Sequence, residues 1–302
     1  MSKLCPGFEE QMIEGDGARI FVRTGGTGPA LLLLHGFPQT GAIWHKIAGE
    51  LGKHFSLVIP DLRGYGRSDK PANDPENLTY SKRAMANDLV AVMRTLGHEQ
   101  FHLCGHDRGG RVAYRLAQDH PHTVTSLITL DIVPTLEQWK AMASVEGAMK
   151  TYHWPFLAQA SPLPEKMIGS DADFYLDEKL GAWNNGTGLD VFDPAALAEY
   201  RAHFRDPEVI HALCNDYRAG ATCDVEHDRA ALDQGIKITC PMLALWGDAG
   251  IPGKSGGGPL DIWRKWATNV TGGGIACGHF LSEEAPAETL AAMIPFLMEN
   301  AA

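Results

Sequence analysis

The sequence predicts an α/β protein in which a mostly parallel β-sheet is flanked by helices and interrupted by an inserted helical cap. Short apolar runs alternate with amphipathic helical patterns in both end portions of the chain, which is typical of a parallel sheet covered by helices. Between Pro134 and about Tyr217 no strand pattern occurs, and aromatic-rich helical segments dominate. We therefore expect a core made of residues 1–133 and 218–302 and a cap made of residues 134–217.

The composition is that of a globular protein with a sizeable core, because 44% of the 302 residues are apolar and 21% are charged. A formal net charge of -11 argues against nucleic acid or an anionic membrane as a partner, since both reward clustered lysine and arginine. The six cysteines form no CxxC pair, and no histidine cluster has metal-ligand spacing, so no metal is expected. The N-terminal segment lacks the apolar stretch of a secretory signal, which predicts a cytoplasmic protein.

The first part of the core is predicted to contain five strands and two helices. Apolar and β-branched runs predict strands at Ala18–Val22, Ala30–Leu34, Phe55–Ile59, Phe101–Cys104 and Val124–Leu130. A helix over Tyr80–Leu96 is predicted because Gly97 suits its C-terminus and apolar residues form one face: Met85, Leu89, Val92, Met93 and Leu96. A second helix is expected at Gly110–Asp119, after a turn at Gly105–Gly109.

The second part of the core resumes with a strand pattern at Ile236–Trp246. There follow a glycine-rich loop, an amphipathic helix, a weak strand ending near Cys277 and a closing helix, with the loop at Gly253–Gly258 and the helices at Pro259–Ala267 and Glu288–Met298. The loop is not predicted to bind nucleotide phosphates, because a P-loop requires a glycine five residues before Gly253, where this chain has Asp248.

The turn at Gly105–Gly109 has the form small-x-nucleophile-x-small, with Asp107 at its centre. Such a strand-to-helix turn presents its central side chain at the top of a parallel sheet, and the small residues permit tight backbone packing. A carboxylate there can attack a saturated carbon, displace a leaving group and form an ester on the enzyme. The alternative interpretation is a structural aspartate that caps the following helix.

His279, which follows the last predicted strand, is the candidate base for hydrolysis of such an ester. An imidazole of ordinary pKa suits that step at neutral pH, and an acid must hold its tautomer. Asp131, at the end of the predicted strand Val124–Leu130, supplies this acid, and Asp248 is the alternative. If Asp107 is only structural, His279 is an ordinary loop histidine.

Four motifs together resemble the α/β-hydrolase superfamily over nearly the whole chain: His35–Pro38, Asp61–Ser68, the Asp107 turn and Gly278–His279. The resemblance implies the α/β-hydrolase fold, with a mostly parallel eight-stranded sheet, flanking helices and an inserted helical cap. An aspartate in place of the nucleophilic serine is similar to the branch that contains haloalkane dehalogenases and epoxide hydrolases.

The residue after the nucleophile is Arg108, where most of that branch has tryptophan. The run from Asp107 to Arg111 resembles the haloacetate dehalogenase family, which includes fluoroacetate dehalogenases. Arg108 and Arg111 form an i, i+3 pair on the first turn of a helix, so both can face the nucleophile and clamp a substrate carboxylate. Otherwise, the two arginines pair with surface acids.

The resemblance also implies a halide site in the cap. His153, Trp154 and Tyr217 would donate hydrogen bonds to the departing halide, and Trp183 would line the same pocket. On the sequence alone, the simpler interpretation is that these residues form the hydrophobic core of the cap.

Three further expectations follow from the resemblance. The backbone N–H groups of Phe37 and Arg108 would be the oxyanion donors for ester hydrolysis. Asp131 would be the acid that orients His279, rather than Asp248. The protein would use no cofactor and would form a homodimer.

These residues predict a hydrolytic dehalogenase that converts a short 2-haloacid to the 2-hydroxyacid and halide, with fluoroacetate and chloroacetate as expected substrates and glycolate as product. Water activated by His279 would hydrolyse the ester on Asp107. One alternative is an epoxide hydrolase, for which the cap offers acidic tyrosines: Tyr152, Tyr175, Tyr200 and Tyr217. Another is a non-catalytic ligand receptor on the same fold. The preferred halogen stays open, because a sequence gives no pocket volume.

Overall fold

A computed structural model of the protein describes residues 4–250 and 258–301, so most of the glycine-rich loop lies outside the described residues. The described strands are β1 (Glu9–Glu14), β2 (Arg19–Gly26), β3 (Ala30–Leu34), β4 (Ser56–Pro60), β5 (Phe101–His106), β6 (Val124–Leu130), β7 (Met242–Gly247) and β8 (Val270–Ile275). They form one sheet in the order β1-β2-β4-β3-β5-β6-β7-β8. The β1/β2 and β2/β4 pairs are antiparallel, and the other neighbours are parallel.

The described residues also form fourteen α-helices, and a 3-10 helix precedes the first of them at Gly41–Trp44. Those of the core are α1 (His45–Leu51), α2 (Lys82–Thr95), α3 (Asp107–Asp119), α12 (Gly258–Trp266), α13 (Leu281–Glu284) and α14 (Pro286–Glu299). Those between β6 and β7 are α4 (Thr135–Ala141), α5 (Val145–Lys150), α6 (His153–Leu157), α7 (Leu163–Gly169), α8 (Ala172–Trp183), α9 (Pro194–Phe204), α10 (Pro207–Ala221) and α11 (Cys223–Asp233).

The sheet confirms the predicted α/β class and the predicted eight strands, and β3 and β6 have the predicted bounds. The one strand that the pattern did not locate is β1, which reads Glu-Glu-Gln-Met-Ile-Glu. Only Ile13 of this strand is buried, because β1 lies at the edge of the sheet and pairs with β2 alone. An edge strand that buries a single side chain needs no apolar alternation, so the sequence carries little signal for it.

The core lies on both faces of the sheet, as β3 illustrates. Leu32 and Leu34 belong to a cluster that includes residues of α2 and α3, whereas Leu31 and Leu33 belong to a second cluster with residues of α1 and α14. Successive side chains of a strand point to opposite faces, and a strand covered on both faces is therefore apolar throughout. Burial on both faces stabilises the central strands of the sheet. The candidate site lies at the carboxyl ends of these strands.

Residues 131–241, all of which the structure describes, contain eight helices and no strand. The expected end of the cap, at Tyr217, lies inside α10, which continues to Ala221. The helix continues because Ala219 and Gly220 are also buried, so the chain leaves the apolar interior only after the last turn. Helix α11 then returns the chain to the sheet before β7 begins.

Candidate active site

Asp107 lies at the junction of β5 and α3, on a backbone with a φ of 47°. This left-handed region is strained for a residue with a side chain, and such strain is found at functional sites. The flanking glycines make the turn possible, because a Cβ on Gly105 would lie 2.4 Å from the carbonyl oxygen of Gly109. Helix α3 begins at Asp107 and not at Gly110 as predicted, because the turn itself forms the first helical residues.

The Asp107 carboxylate is buried and oriented by the loop after β3. Its Oδ1 atom accepts a hydrogen bond from the Phe37 N–H at 2.9 Å. Burial alone would raise the pKa of Asp107, but electrostatic interactions with two histidines and two arginines hold it below its ordinary value. The carboxylate is therefore ionised at neutral pH, as a nucleophile requires.

His279 connects Asp107 to a second carboxylate. Its Nδ1 atom lies 2.6 Å from Asp131 Oδ2, and its Nε2 atom lies 4.0 Å from Asp107 Oδ2. Burial would lower the pKa of His279, but its hydrogen bond and charge interaction with Asp131 raise it above the ordinary value. If Nδ1 donates to Asp131, Nε2 is left as an acceptor, and it has no hydrogen-bond partner among the described residues.

Asp131, and not Asp248, contacts His279. Asp131 is buried at the end of β6 with a φ of 54°, and its Oδ1 atom accepts the Gly247 N–H at 2.9 Å. Asp248 is exposed. A Cβ on Gly250 would lie 2.6 Å from Asp131 Oδ1, so the glycine in the loop after β7 leaves the space that the Asp131 carboxylate occupies.

Arg111 is a buried cation without a carboxylate partner among the residues that the structure describes. Its side chain is 3% exposed, its Nη1 atom donates to the Val133 carbonyl oxygen at 2.7 Å, and its Nε atom has no described partner. No carboxylate of the described residues lies within 4.0 Å of it, and it stacks 4.4 Å above the Trp154 ring. Burial and the nearby Arg108 lower the pKa of Arg111. A buried charge of this kind is costly unless an anion pairs with it.

Arg108, unlike Arg111, is paired with a carboxylate. The sequence pattern treats the two arginines as equivalent, but their environments differ. Its Nε and Nη2 atoms donate to the Asp216 carboxylate at 3.0 and 2.6 Å. Asp216 also accepts hydrogen bonds from Lys82 and Tyr65, so this carboxylate neutralises a buried group of donors. Only the Nη1 atom of Arg108 is without a described partner, and it is buried.

The four cap side chains that the resemblance implied lie together, and the Phe37 ring packs against them. Ring centroids are 4.7 Å apart for His153 and Trp183, 5.6 Å for Trp154 and Tyr217, and 5.3 Å for Phe37 and Tyr217. Burial lowers the pKa of His153 to about 3, so its ring is neutral, and its Nδ1 atom has no described hydrogen-bond partner. The cluster therefore combines apolar ring faces with polar atoms that are free to meet a ligand.

A cavity of about 320 Å³ brings both halves of the site together. Core and cap residues line it, among them Asp107, Arg111, His279, His153, Trp154 and Trp183. Phe37, Arg108 and Tyr217 are buried in contact with this group but are not among the lining residues. The arrangement brings an ionised carboxylate, a histidine that is hydrogen-bonded to a second carboxylate, and a cation without a described carboxylate partner to one cavity.

The comparisons with known proteins agree with this geometry. The model of the alpha/beta hydrolase fold family matches residues 29–185, which is more than half of the chain. The chain belongs to the α/β-hydrolase family. The crystal structure of ALR0039 from Nostoc sp PCC 7120 matches this hydrolase with a TM-score of 0.92 at 50% identity, covering 96% of this chain and 98% of that one.

Two curated relatives carry different activities in their names. A fluoroacetate dehalogenase from a Burkholderia species is 43% identical to the hydrolase over 293 residues, which are 97% of this chain and 95% of the relative. A soluble epoxide hydrolase from a Corynebacterium species is 32% identical over 272 residues, which are 90% and 91% of the two chains. Within the described residues, no helix of the hydrolase has the length and apolar character of a membrane span.

The sequence pattern did not single out two charged residues of the hydrolase that shape the site. Asp216, the partner of Arg108, directly precedes Tyr217, but nothing local indicates that it pairs across 108 positions. Lys179 lines the cavity from α8 and donates to the Tyr152 hydroxyl at 2.5 Å. Lys179 and Trp183 are four residues apart and therefore lie on one face of α8. This spacing is the sequence feature that could have indicated Lys179 as a cavity residue.

Proposed function

We propose that this hydrolase is a dehalogenase of short 2-haloacids, with fluoroacetate and chloroacetate as substrates and glycolate and halide as products. The observation that carries the proposal is Arg111, a buried cation that has no carboxylate partner in the described part of the chain and lines the same cavity as Asp107. A substrate carboxylate supplies the missing anion. The 43% identity to a fluoroacetate dehalogenase supports the same conclusion.

In the first step, Arg111 holds the substrate carboxylate, and the free Nη1 atom of Arg108 adds a second donor. This places the halogen-bearing carbon against the Asp107 carboxylate, which is where positioning lowers the barrier most. A carboxylate oxygen forms a bond to that carbon as the carbon-halogen bond breaks, and the halide leaves with the electron pair. An ester remains in which the Asp107 carboxyl carries the carboxymethyl group of the substrate.

The departing halide meets neutral donors in the cap. His153 is uncharged at neutral pH, and Trp154 and Tyr217 add an indole N–H and a hydroxyl to the same aromatic cluster. Donors aimed at the position where charge develops stabilise the transition state, and fluoride needs this help because it leaves poorly. These three residues therefore form the halide site of the proposal.

In the second step, water hydrolyses the ester. His279 Nε2 takes a proton from water, and Asp131 stabilises the imidazolium that forms. The hydroxide adds to the Asp107 carboxyl carbon, and the Phe37 N–H meets the oxyanion, since it already donates to Oδ1. The tetrahedral centre then expels glycolate, whose oxygen takes the proton from His279, and the Asp107 carboxyl releases the remaining proton of the water to solvent, which restores the carboxylate.

An epoxide hydrolase would need cap acids that protonate an alkoxide. Tyr200 donates to Glu283 at 3.3 Å, and Tyr152 accepts a hydrogen bond from Lys179. Of the four candidate tyrosines, Tyr152 alone is among the residues that line the cavity in the described part of the chain. The dehalogenase is favoured by Arg111, a buried cation of the cavity that has no carboxylate partner among the described residues, because an epoxide carries no anionic group for it to bind.

Halide release measured with fluoride and chloride electrodes tests the proposal. The hydrolase should release halide from fluoroacetate and chloroacetate, and Asp107→Asn should release none and form no covalent adduct detectable by mass spectrometry. Chloroacetamide, which lacks the carboxylate, serves as the control substrate. Ring opening of styrene oxide without halide release from either haloacetate would overturn the proposal in favour of an epoxide hydrolase.

A further inference from the structure

Glu284 holds the backbone on both sides of the candidate base. It is the last residue of α13, five positions after His279. Its Oε2 atom accepts the Gly278 N–H at 2.8 Å, and its Oε1 atom accepts the Phe280 N–H at 2.8 Å. One carboxylate therefore binds the backbone N–H groups of the residues before and after His279.

The same carboxylate also binds the cap. Glu284 Oε2 accepts the Asn185 N–H at 2.9 Å, and the His279 N–H donates to the Trp183 carbonyl oxygen at 2.9 Å. Trp183 lines the cavity, and Asn185 follows it by two residues. A Cβ on Gly278 would lie 2.5 Å from the Asn184 carbonyl carbon, so the two segments are in direct backbone contact.

Three backbone N–H groups bind the charge of Glu284, and no cation of the described residues forms an ion pair with it. No lysine, arginine or histidine of the described residues lies within 4.0 Å of its carboxylate. Hydrogen bonds from N–H groups to an ionised carboxylate are about twice as strong as neutral ones and fix geometry. The neighbouring Glu283 points elsewhere, to Gln39 and Tyr200. The two acids of α13 thus have separate contacts.

We propose that Glu284 is a positioning residue for the hydrolysis step: it holds the His279 loop so that the imidazole stays between Asp131 and Asp107 while the cap segment Trp183–Asn185 is closed over it. The proposal rests on the dehalogenase mechanism above. Glu284 is not among the described residues that line the cavity, and it acts through the backbone of His279.

This role separates the two steps of the reaction. Attack by Asp107 on the substrate needs Arg111 and the halide donors but no proton transfer, whereas hydrolysis needs His279 in place. A displacement of about 1 Å in such a group costs about 100-fold in rate. Loss of the Glu284 contacts should therefore slow ester hydrolysis and leave ester formation nearly unchanged.

The experiment compares the wild-type protein with Glu284→Gln, which keeps the shape of the side chain but replaces one acceptor oxygen by an NH2 group. Glu288→Gln is the matched control, because Glu288 is exposed on α14 and makes no described hydrogen bond or ion pair. Each protein is mixed with excess chloroacetate in a rapid-quench instrument. Chloride is measured over the first turnover and at steady state, and the ester on Asp107 is measured by mass spectrometry of the intact protein.

For Glu284→Gln we expect a first-turnover chloride burst at nearly the wild-type rate, a steady-state rate reduced about 10- to 100-fold, and accumulated ester. Glu288→Gln should match the wild type in all three. Equal slowing of both steps, or slow turnover without ester, overturns the proposal while the dehalogenase mechanism stands.

Two further outcomes also bear on the proposal. If Glu284→Gln does not fold, as judged by circular dichroism and thermal unfolding, Glu284→Asp is tested in the same way, since it keeps the charge on a shorter side chain. Failure of both variants to fold assigns Glu284 to folding and overturns the positioning role. If the wild-type protein releases no halide, both the proposed function and this inference fall.

Discussion

At the residue scale, the chemistry of the site depends on which charges are paired. Arg108 and Arg111 lie three positions apart on α3, yet Asp216 neutralises the first and no described carboxylate approaches the second. An unpaired, buried guanidinium raises the free energy of the empty protein, and an anionic ligand recovers that cost. In the proposed function, Arg111 is therefore the residue that distinguishes an anionic substrate from a neutral one.

Replacement of Arg111 by methionine should weaken carboxylate binding by about 10- to 100-fold, because hydrogen bonds to charged groups contribute about 1.5–3 kcal/mol. The expected result is a higher KM for chloroacetate and a higher inhibition constant for acetate, both measured by chloride release. Arg229→Met is the control, since Arg229 is exposed and pairs only with Glu226 among the described residues. An unchanged inhibition constant for acetate would contradict the assignment of Arg111.

At the element scale, the carboxyl ends of parallel strands gather residues that are far apart in the chain. Asp107 follows β5, Asp131 follows β6, and the loop after β8 carries His279. Open α/β sheets bind ligands at this edge because loops from neighbouring strands converge there. After β7, the Gly247 N–H hydrogen-bonds the Asp131 carboxylate, and Gly250 leaves space for that carboxylate. Asp131 can therefore lie beside His279.

Asp131→Asn should lower kcat by about 100- to 10,000-fold, because a neutral amide cannot stabilise the imidazolium of His279. The ester on Asp107 should accumulate, since the first step does not use this acid. Asp248→Asn should stay within about twofold of wild-type activity. Steady-state chloride release and mass spectrometry measure both effects, and a large loss of activity in Asp248→Asn alone would transfer the role to Asp248.

At the scale of the whole molecule, the net charge of the protein does not describe the cavity. The formal net charge is -11, whereas the described residues that line the cavity include three acids and three lysine or arginine residues: Asp107, Asp131, Glu178, Arg111, Lys150 and Lys179. In the proposed function, selectivity for an anion comes from the buried guanidinium of Arg111 and not from the overall field. The homodimer stays a prediction, and six of the ten large apolar side chains that are exposed among the described residues lie on the cap: Val145, Met149, Tyr152, Leu163, Met167 and Phe174.

Glu283 links the core to the cap and makes global stability depend on pH. Its buried carboxyl bonds Gln39 of the core and Tyr200 of the cap, and burial raises its pKa from 4.5 to about 8. The folded state therefore keeps a proton that the unfolded state loses. The stabilisation is fully present below about pH 4.5 and is lost as the pH rises to about 8, at up to about 1.4 kcal/mol per pH unit.

Glu283→Gln should remove this dependence, because glutamine stays neutral at every pH. Urea unfolding at pH 6, 7 and 8 should give a free energy of unfolding that falls more steeply for the wild type than for Glu283→Gln. Glu288→Gln should retain the wild-type slope. Parallel slopes for the wild type and Glu283→Gln would show that Glu283 is ionised in the folded protein.

The sequence by itself determined the α/β class, most of the strand positions and the identity of the Asp107 turn, because these depend on short-range patterns. A buried strand such as β3 is a continuous apolar run, and the turn needs its glycines within five residues. The exposed edge strand β1 has no such pattern and was not located.

Only the tertiary structure decided how the charges pair. Asp216 lies 108 positions from Arg108, and Asp131 lies 148 positions from His279, so no local pattern could rank Asp131 against Asp248 or separate Arg108 from Arg111. The energy of a charge depends on its burial and on partners within about 4 Å, and the folded chain alone sets both. The cavity volume has the same origin, because side chains from distant segments enclose it.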